Sequence, residues 1–118
     1  DSDISTTDKA TKHLVLIGGS CANTLVQELV GKTNGLDAKY TCAGGVPGAG
    51  WESKTGYIWV LDGPFQTGKQ VVVAAGTTRD ETRLVTNVLQ NYDTQLKSIT
   101  GSSVKVTGTV TAPVVTAA

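Results

Sequence analysis

Two segments of this chain repeat one pattern, and the repeat limits what it can fold into more than any other feature. In the first, His13-Leu14-Val15-Leu16-Ile17 is a short, β-branched apolar run that stops at Gly18-Gly19. Ala22, Leu25, Val26 and Leu29 then fall at i, i+3, i+4 and i+7, the spacing of a helix with one buried stripe. In the second, Val71 to Ala75 form an apolar run, and Thr78 to Tyr92 carry Leu84, Val85, Val88 and Leu89 at helical spacing. Shifting the first segment by 58 residues lays Gly18 on Gly76, Thr24 on Thr82 and Val26 on Leu84. A strand, a glycine turn and a helix, written twice, imply α/β layering.

Ser20 is placed to cap the first helix, and Gly31 ends it as a C-terminal glycine does. Thr78-x-x-Glu81 reads as a capping box for the second. Residues 31–56 are loop-rich, and Tyr57 to Leu61 is a strand bounded by Gly56 and Gly63. The unbroken apolar runs 13–17 and 71–75 read as strands buried on both faces. In Val104 to Val110, by contrast, Val104, Val106 and Val110 alternate with Lys105, Thr107 and Thr109, which predicts one wet face and an edge or late strand. The order β–α–loop–β–β–α–β predicts a small, mostly parallel sheet with two main helices, a Rossmann-like half-size sandwich with right-handed crossovers. Residues 1–12 read as a flexible N-terminal arm, 13–110 as a single α/β domain and 111–118 as a C-terminal tail. The two ends are either strand-like, able to pair with another chain, or disordered.

A length of 118 residues suits one domain that buries roughly two-thirds of its unfolded surface. Ten basic and ten acidic residues balance to zero formal charge. Such a chain has no electrostatic basis for binding nucleic acid, and its copies repel one another weakly. No run of about 18 apolar residues occurs, so no membrane-spanning helix is expected. The polar stretch 1–12 lacks the apolar core of a signal peptide, so a secreted chain would be in its mature form. No Asn-x-Ser/Thr acceptor is present.

Several motifs invite a chemical reading. Gly63-Pro-Phe-Gln-Thr-Gly68-Lys69 resembles a phosphate loop, yet Gln70 stands where the magnesium-binding hydroxyl belongs, and a strand follows where a helix should. It reads as a tight loop between two strands. Gly18-Gly19-Ser20 sits at a strand-to-helix turn, as a nucleophile elbow does. The sole histidine, His13, begins the same strand, and seven extended residues span roughly 23 Å, so it cannot serve Ser20 as a base. The turn is left as a helix cap or as an anion-binding turn formed by Gly18, Gly19 and Ser20. Cys21 and Cys42 are the only cysteines, too few for a zinc site. They form either a disulfide across a loop of about 20 residues, which points to an oxidising compartment, or a reactive thiol at Cys21. Arg79 and Arg83 lie one helical turn apart beside Asp80 and Glu81, either gripping an anion or pairing along a solvated face. Trp51, Tyr57 and Trp59 read as core or interface anchors. No catalytic residue, metal ligand or cofactor-binding residue emerges, and no cofactor is expected.

The stretch LVLIGGSCANTLVQELV (14–30), followed by GYIWVLDGPFQTGKQVVVAAGTTRDETRLVTNVL (56–89), resembles the conserved domain of archaeal surface-layer (S-layer) proteins. The matching features are Gly18-Gly19 closing a strand, Ala22-Asn23, the Gly68-Lys69 turn, the Val71–Gly76 strand and Thr82-Arg83 on the next helix. Cys21 in the first motif, with a second cysteine in the following loop, is similar to a subgroup of that family. Its members are usually far longer, so the resemblance implies a fragment or a minimal relative. It also implies an extracellular structural role at the cell surface, with copies of the chain as partners in a layer or filament, and it carries over no catalytic residue. The alternatives are a module binding an anion or cell-wall polymer at the Gly18-Gly19 turn, and a thiol enzyme using Cys21.

Overall fold

The computed structural model describes residues 6–91 and 103–117. In chain order the elements are α1 (Thr6–Thr11), β1 (Leu14–Ile17), α2 (Thr24–Leu29), a 3₁₀ turn (Ala38–Tyr40), β2 (Cys42–Ala43), β3 (Val46–Pro47), β4 (Gly56–Asp62), β5 (Gln70–Gly76), α3 (Arg79–Gln90), β6 (Ser103–Thr109) and β7 (Ala112–Ala117). Five strands form one sheet in the order β1-β5-β4-β6-β7, and β2 with β3 makes a separate small ribbon.

The sheet is mixed and mainly antiparallel, which overturns the mostly parallel Rossmann-like half-size sandwich expected from the element order. Only β1 and β5 pair in parallel, while β5–β4, β4–β6 and β6–β7 are all antiparallel. The physical reason is loop length. Asp62 pairs with Gln70 across residues 63–69, and so short a loop permits a hairpin but no crossover, which needs a dozen residues or more. The phosphate-loop lookalike is thus a hairpin turn, with the Gly63 amide donating to Lys69 O and with Gly63 and Gly68 at φ +74° and +85°. In the same way, Thr109 pairs with Ala112, and the stretch expected as a tail becomes β7. At the other end, residues 6–11 are helical, held by an ion pair from Lys9 to Glu28 on α2. Residues 6–11 are therefore not strand-like, and residues 1–5 of the expected flexible arm lie outside the described residues. Of the two expected main helices, α2 has only 6 residues against 12 in α3.

Two cores lie on opposite faces of the sheet. On one, Leu25, Val26 and Leu29 of α2 pack with Leu14, Leu16, Val71 and Val73. The same core holds Tyr40, Trp51, Tyr57 and Trp59, six ring pairs in all, with centroids 4.9 to 5.9 Å apart. Residues that look scattered in sequence are a single aromatic cluster in space. On the other face, Leu84, Val85 and Val88 of α3 cover Ile58, Ala74, Val104 and Val106. Each fully buried aliphatic side chain there stabilises the fold by about 1.5–3 kcal/mol. The helix can lie this close because Gly56 and Gly76 have no side chains: a Cβ on Gly76 would sit 2.5 Å from Thr82 N, and one on Gly56 would collide with Val85.

Strand β1 is not buried on both faces as its composition predicts. Leu14 and Leu16 are buried, but Val15 and Ile17 are exposed. The helix α3 packs on β5, β4 and β6, leaving the edge strand uncovered on that side. Burial here is decided by where the strand sits in the sheet, which an apolar run of four residues does not encode.

Candidate functional site

β1 and β5 lie side by side in parallel, yet the chain leaves their carboxyl ends toward opposite faces, to α2 after β1 and to α3 after β5. In α/β sheets this divergence opens a crevice at the strand ends. Here the Gly18–Ala22 turn and the Gly76–Thr82 turn flank a crevice of about 290 Å³. The two segments that repeat in sequence thus face each other in space.

Each turn is built from local chemistry. Gly18 has φ +110°, which admits glycine, and its amide donates to Ala74 O at 2.9 Å. Gly19 lies close enough that a Cβ would meet Gly76 O at 3.3 Å and the Trp51 ring at 3.5 Å. The cap of α2 is Asn23, not Ser20. The Asn23 side-chain oxygen accepts from the amides of Leu25 and Val26, and its NH₂ donates to Ile17 O. Ser20 is buried and donates its hydroxyl to Tyr40 O. At α3 the Thr78 hydroxyl donates to the Glu81 carboxylate at 2.8 Å, side chain to side chain, and neither side chain bonds the helix backbone, so the expected capping box does not form.

Cys21 and Cys42 are joined as a disulfide with Cα atoms 5.2 Å apart. It ties the turn after β1 to the β2–β3 ribbon, whose Pro47 also lines the crevice. Bonded in this way, Cys21 offers no thiolate.

The polar groups around the crevice are largely engaged within the chain. Thr82 Oγ1 accepts the Gly76 amide at 3.1 Å, and the Thr77 hydroxyl donates to Glu52 O. Arg79 brings a charge to the lining, while Trp51, Ala22 and Pro47 supply apolar surface. Sequence spacing sets Arg79 beside Arg83 on a helix face; the fold places Arg79 opposite the Gly18-Gly19 turn, and Arg83 does not line this crevice. The sign of that placement in the sequence is the 58-residue repeat, since matching turns after neighbouring parallel strands must meet.

His13 stands at the other end of β1, where its Nδ1 accepts the Gln70 amide at 2.9 Å. It shares no hydrogen bond with Ser20. Among the described residues, no group of three or more His, Cys, Asp or Glu side chains gathers as a metal site would require. No helix among them is long and apolar enough to cross a membrane.

Titration is perturbed away from the crevice. Burial first, and the neighbouring Tyr57 second, push the Tyr40 phenol above its ordinary value. The Glu52 carboxylate, hydrogen-bonded to Lys105 at 2.6 Å, raises the Lys105 ammonium.

The fold is thus a mixed sheet with a helix-covered core on each face, braced by one disulfide. A sequence profile of the S-layer like family, outer domain, matches residues 1–93, and the chain belongs to that family. It is an S-layer-related structural protein of the cell envelope. The matched residues take in α1 through α3, and β6 and β7 lie beyond them. No curated protein and no solved structure matches the chain.

Proposed function

We propose that this protein is a building block of a surface layer or filament, assembling with copies of itself outside the cell. The family match over residues 1–93 carries this reading. The Cys21–Cys42 disulfide supports it, because such bonds persist in oxidising compartments outside the cytosol. Zero formal charge favours close association of like copies. Strand β7 pairs with β6 on one side only, which supports assembly by strand pairing through the C-terminal segment. The chain has no catalytic role in this reading. Electron microscopy of the oxidised protein over a concentration series tests it: ordered arrays or filaments are expected, and discrete particles at every concentration would refute it.

A second reading treats the Gly18-Gly19-Ser20 turn as a site for an anionic group of a cell-wall polymer. Arg79, lining the same crevice, favours it. Titration with an acidic oligosaccharide should shift the amides of residues 18–23 and lose that effect in Arg79→Ala; unshifted amides would rule it out.

A further inference from the structure

The edge strand β1 carries surface that its own chain leaves bare. Val15 is 60% exposed and Ile17 47%, and Val60, across β5 on the same face, is 39% exposed. Scattered apolar side chains on a surface need no explanation, but three together beside an open sheet edge do. Natural edges are usually protected by charge, proline or a bulge. Leu14-Val15-Leu16-Ile17 has no charge and no proline, and its pairing with β5 is regular.

The backbone of β1 is open as well. The Gly18 amide reaches Ala74 O, so by alternation Leu14 and Leu16 turn their main-chain groups to β5 while Val15 and Ile17 turn theirs outward. Asn23 takes Ile17 O. Among the described residues, no hydrogen bond reaches the main chain of Val15 from the outer side.

The opposite end of the sheet is a matching edge. Following the pairings across the sheet, β5 runs with β1, β4 against it, β6 with it and β7 against it. A copy displaced along the sheet without turning over therefore presents β7 antiparallel to β1, the stronger form of pairing. The faces match too. Val115 lies opposite Val106, on the α3 side, as Val15 and Ile17 do. Val114, on the other side, is 53% exposed and would lie beside Leu14 and Leu16. Pro113 offers no amide, which leaves Val114–Ala117 as the pairing length of β7, four residues against the four of β1.

We propose that β1 of one copy takes β7 of the next, so that the sheet continues from molecule to molecule. This rests on the self-assembly reading above and gives it a surface. The contact is head-to-tail, so each added copy leaves a free β1 at one end and a free β7 at the other, and a row grows without closing. Four residues a side bury well below the roughly 800 Å² per partner of a stable isolated complex. A single contact is therefore weak, and rows form only when many copies are present together. A two-fold β1–β1 pairing would use the same apolar edge but would stop at a dimer.

Cysteine variants distinguish these geometries. Val15→Cys and Val115→Cys are purified separately, with the native cysteines held in their disulfide, then mixed under assembly conditions and treated with a short bismaleimide. A crosslinked dimer is expected in the mixture and in neither variant alone. Crosslinking of Val15→Cys by itself would replace the proposal with the two-fold pairing. In parallel, Val15→Lys should raise the concentration needed for assembly about tenfold or more, because a lysine on an open edge strand disfavours addition of another strand. Val46→Lys, at an equally exposed valine on the β2–β3 ribbon, should leave it unchanged. Thermal melts confirm that both variants are folded. If the wild type assembles but the mixture does not crosslink and Val15→Lys behaves as wild type, this surface is wrong and self-assembly stands. If the wild type never assembles, both readings fall.

Discussion

Ser20 and Trp51 donate to one acceptor: the Ser20 hydroxyl and the Trp51 indole N–H each reach the carbonyl oxygen of Tyr40 at 2.9 Å. That oxygen uses both its lone pairs, and the turn after β1, the 3₁₀ turn and the aromatic core are fastened at one atom. Ser20→Ala should then cost only about 0.5–1.5 kcal/mol, since the carbonyl keeps the indole donor. Trp51→Phe removes a donor and leaves a gap in the ring cluster, and should cost about 2–4 kcal/mol. Urea denaturation of both variants and of the double mutant checks this. A Ser20→Ala loss as large as that of Trp51→Phe would mean the carbonyl is not shared.

Asn23 holds α2 in place from both directions, capping Leu25 and Val26 and tying Ile17 O to the turn. Asn23→Ala should destabilise by about 1–2 kcal/mol. Asn23→Asp keeps the accepting oxygen and should recover most of that loss, even though it cannot donate to Ile17. If Asp and Ala cost the same, the bond to Ile17 is the dominant contribution and the cap is secondary.

The disulfide closes a loop with a sequence separation of 21 residues. The double variant Cys21→Ser/Cys42→Ser should lose about 3 kcal/mol by the chain-entropy estimate. Comparing its denaturation midpoint with that of the oxidised protein measures the difference. An unchanged midpoint would show that the loop is already held by the packing of Tyr40 and Trp51.

Burial raises the Tyr40 phenol above its usual value near 10. In the unfolded chain the phenol returns to that value, so the folded state prefers the protonated form. Its contribution is fully present below about pH 10 and is lost as pH climbs through the raised folded value. Denaturant midpoints measured between neutral pH and strong alkali should fall more steeply for the wild type than for Tyr40→Phe. Equal slopes would assign the alkaline loss to other groups.

Much of the local structure is legible in the sequence because it depends on neighbours in the chain. Val71 to Ala75 and Tyr57 to Leu61 fall inside β5 and β4, and Leu84, Val85 and Val88 are the buried stripe of α3. Strand direction between β4 and β5 is legible too, since residues 63–69 are too few for anything but a hairpin. The cap of α2 is not legible in the sequence, because Ser20 and Asn23 are both good cap residues. The choice fell to Asn23 once Tyr40 O, 20 positions away in sequence, claimed the serine hydroxyl.

The sequence by itself determined the strands β1, β4, β5 and β6, the buried stripe of α3, the two glycine turns, the presence of two pairable cysteines and membership in a surface-layer family, while α1 and β7 were not legible in it. Those properties are set by residue type and short-range spacing. The tertiary structure alone decided that β1 is an edge, that Val15 and Ile17 stay exposed, that four aromatic rings gather, and that the two turns share a crevice. Each of these depends on which strand lies beside which. That order is fixed by burial of apolar surface summed over the whole chain, an energy that no local window contains.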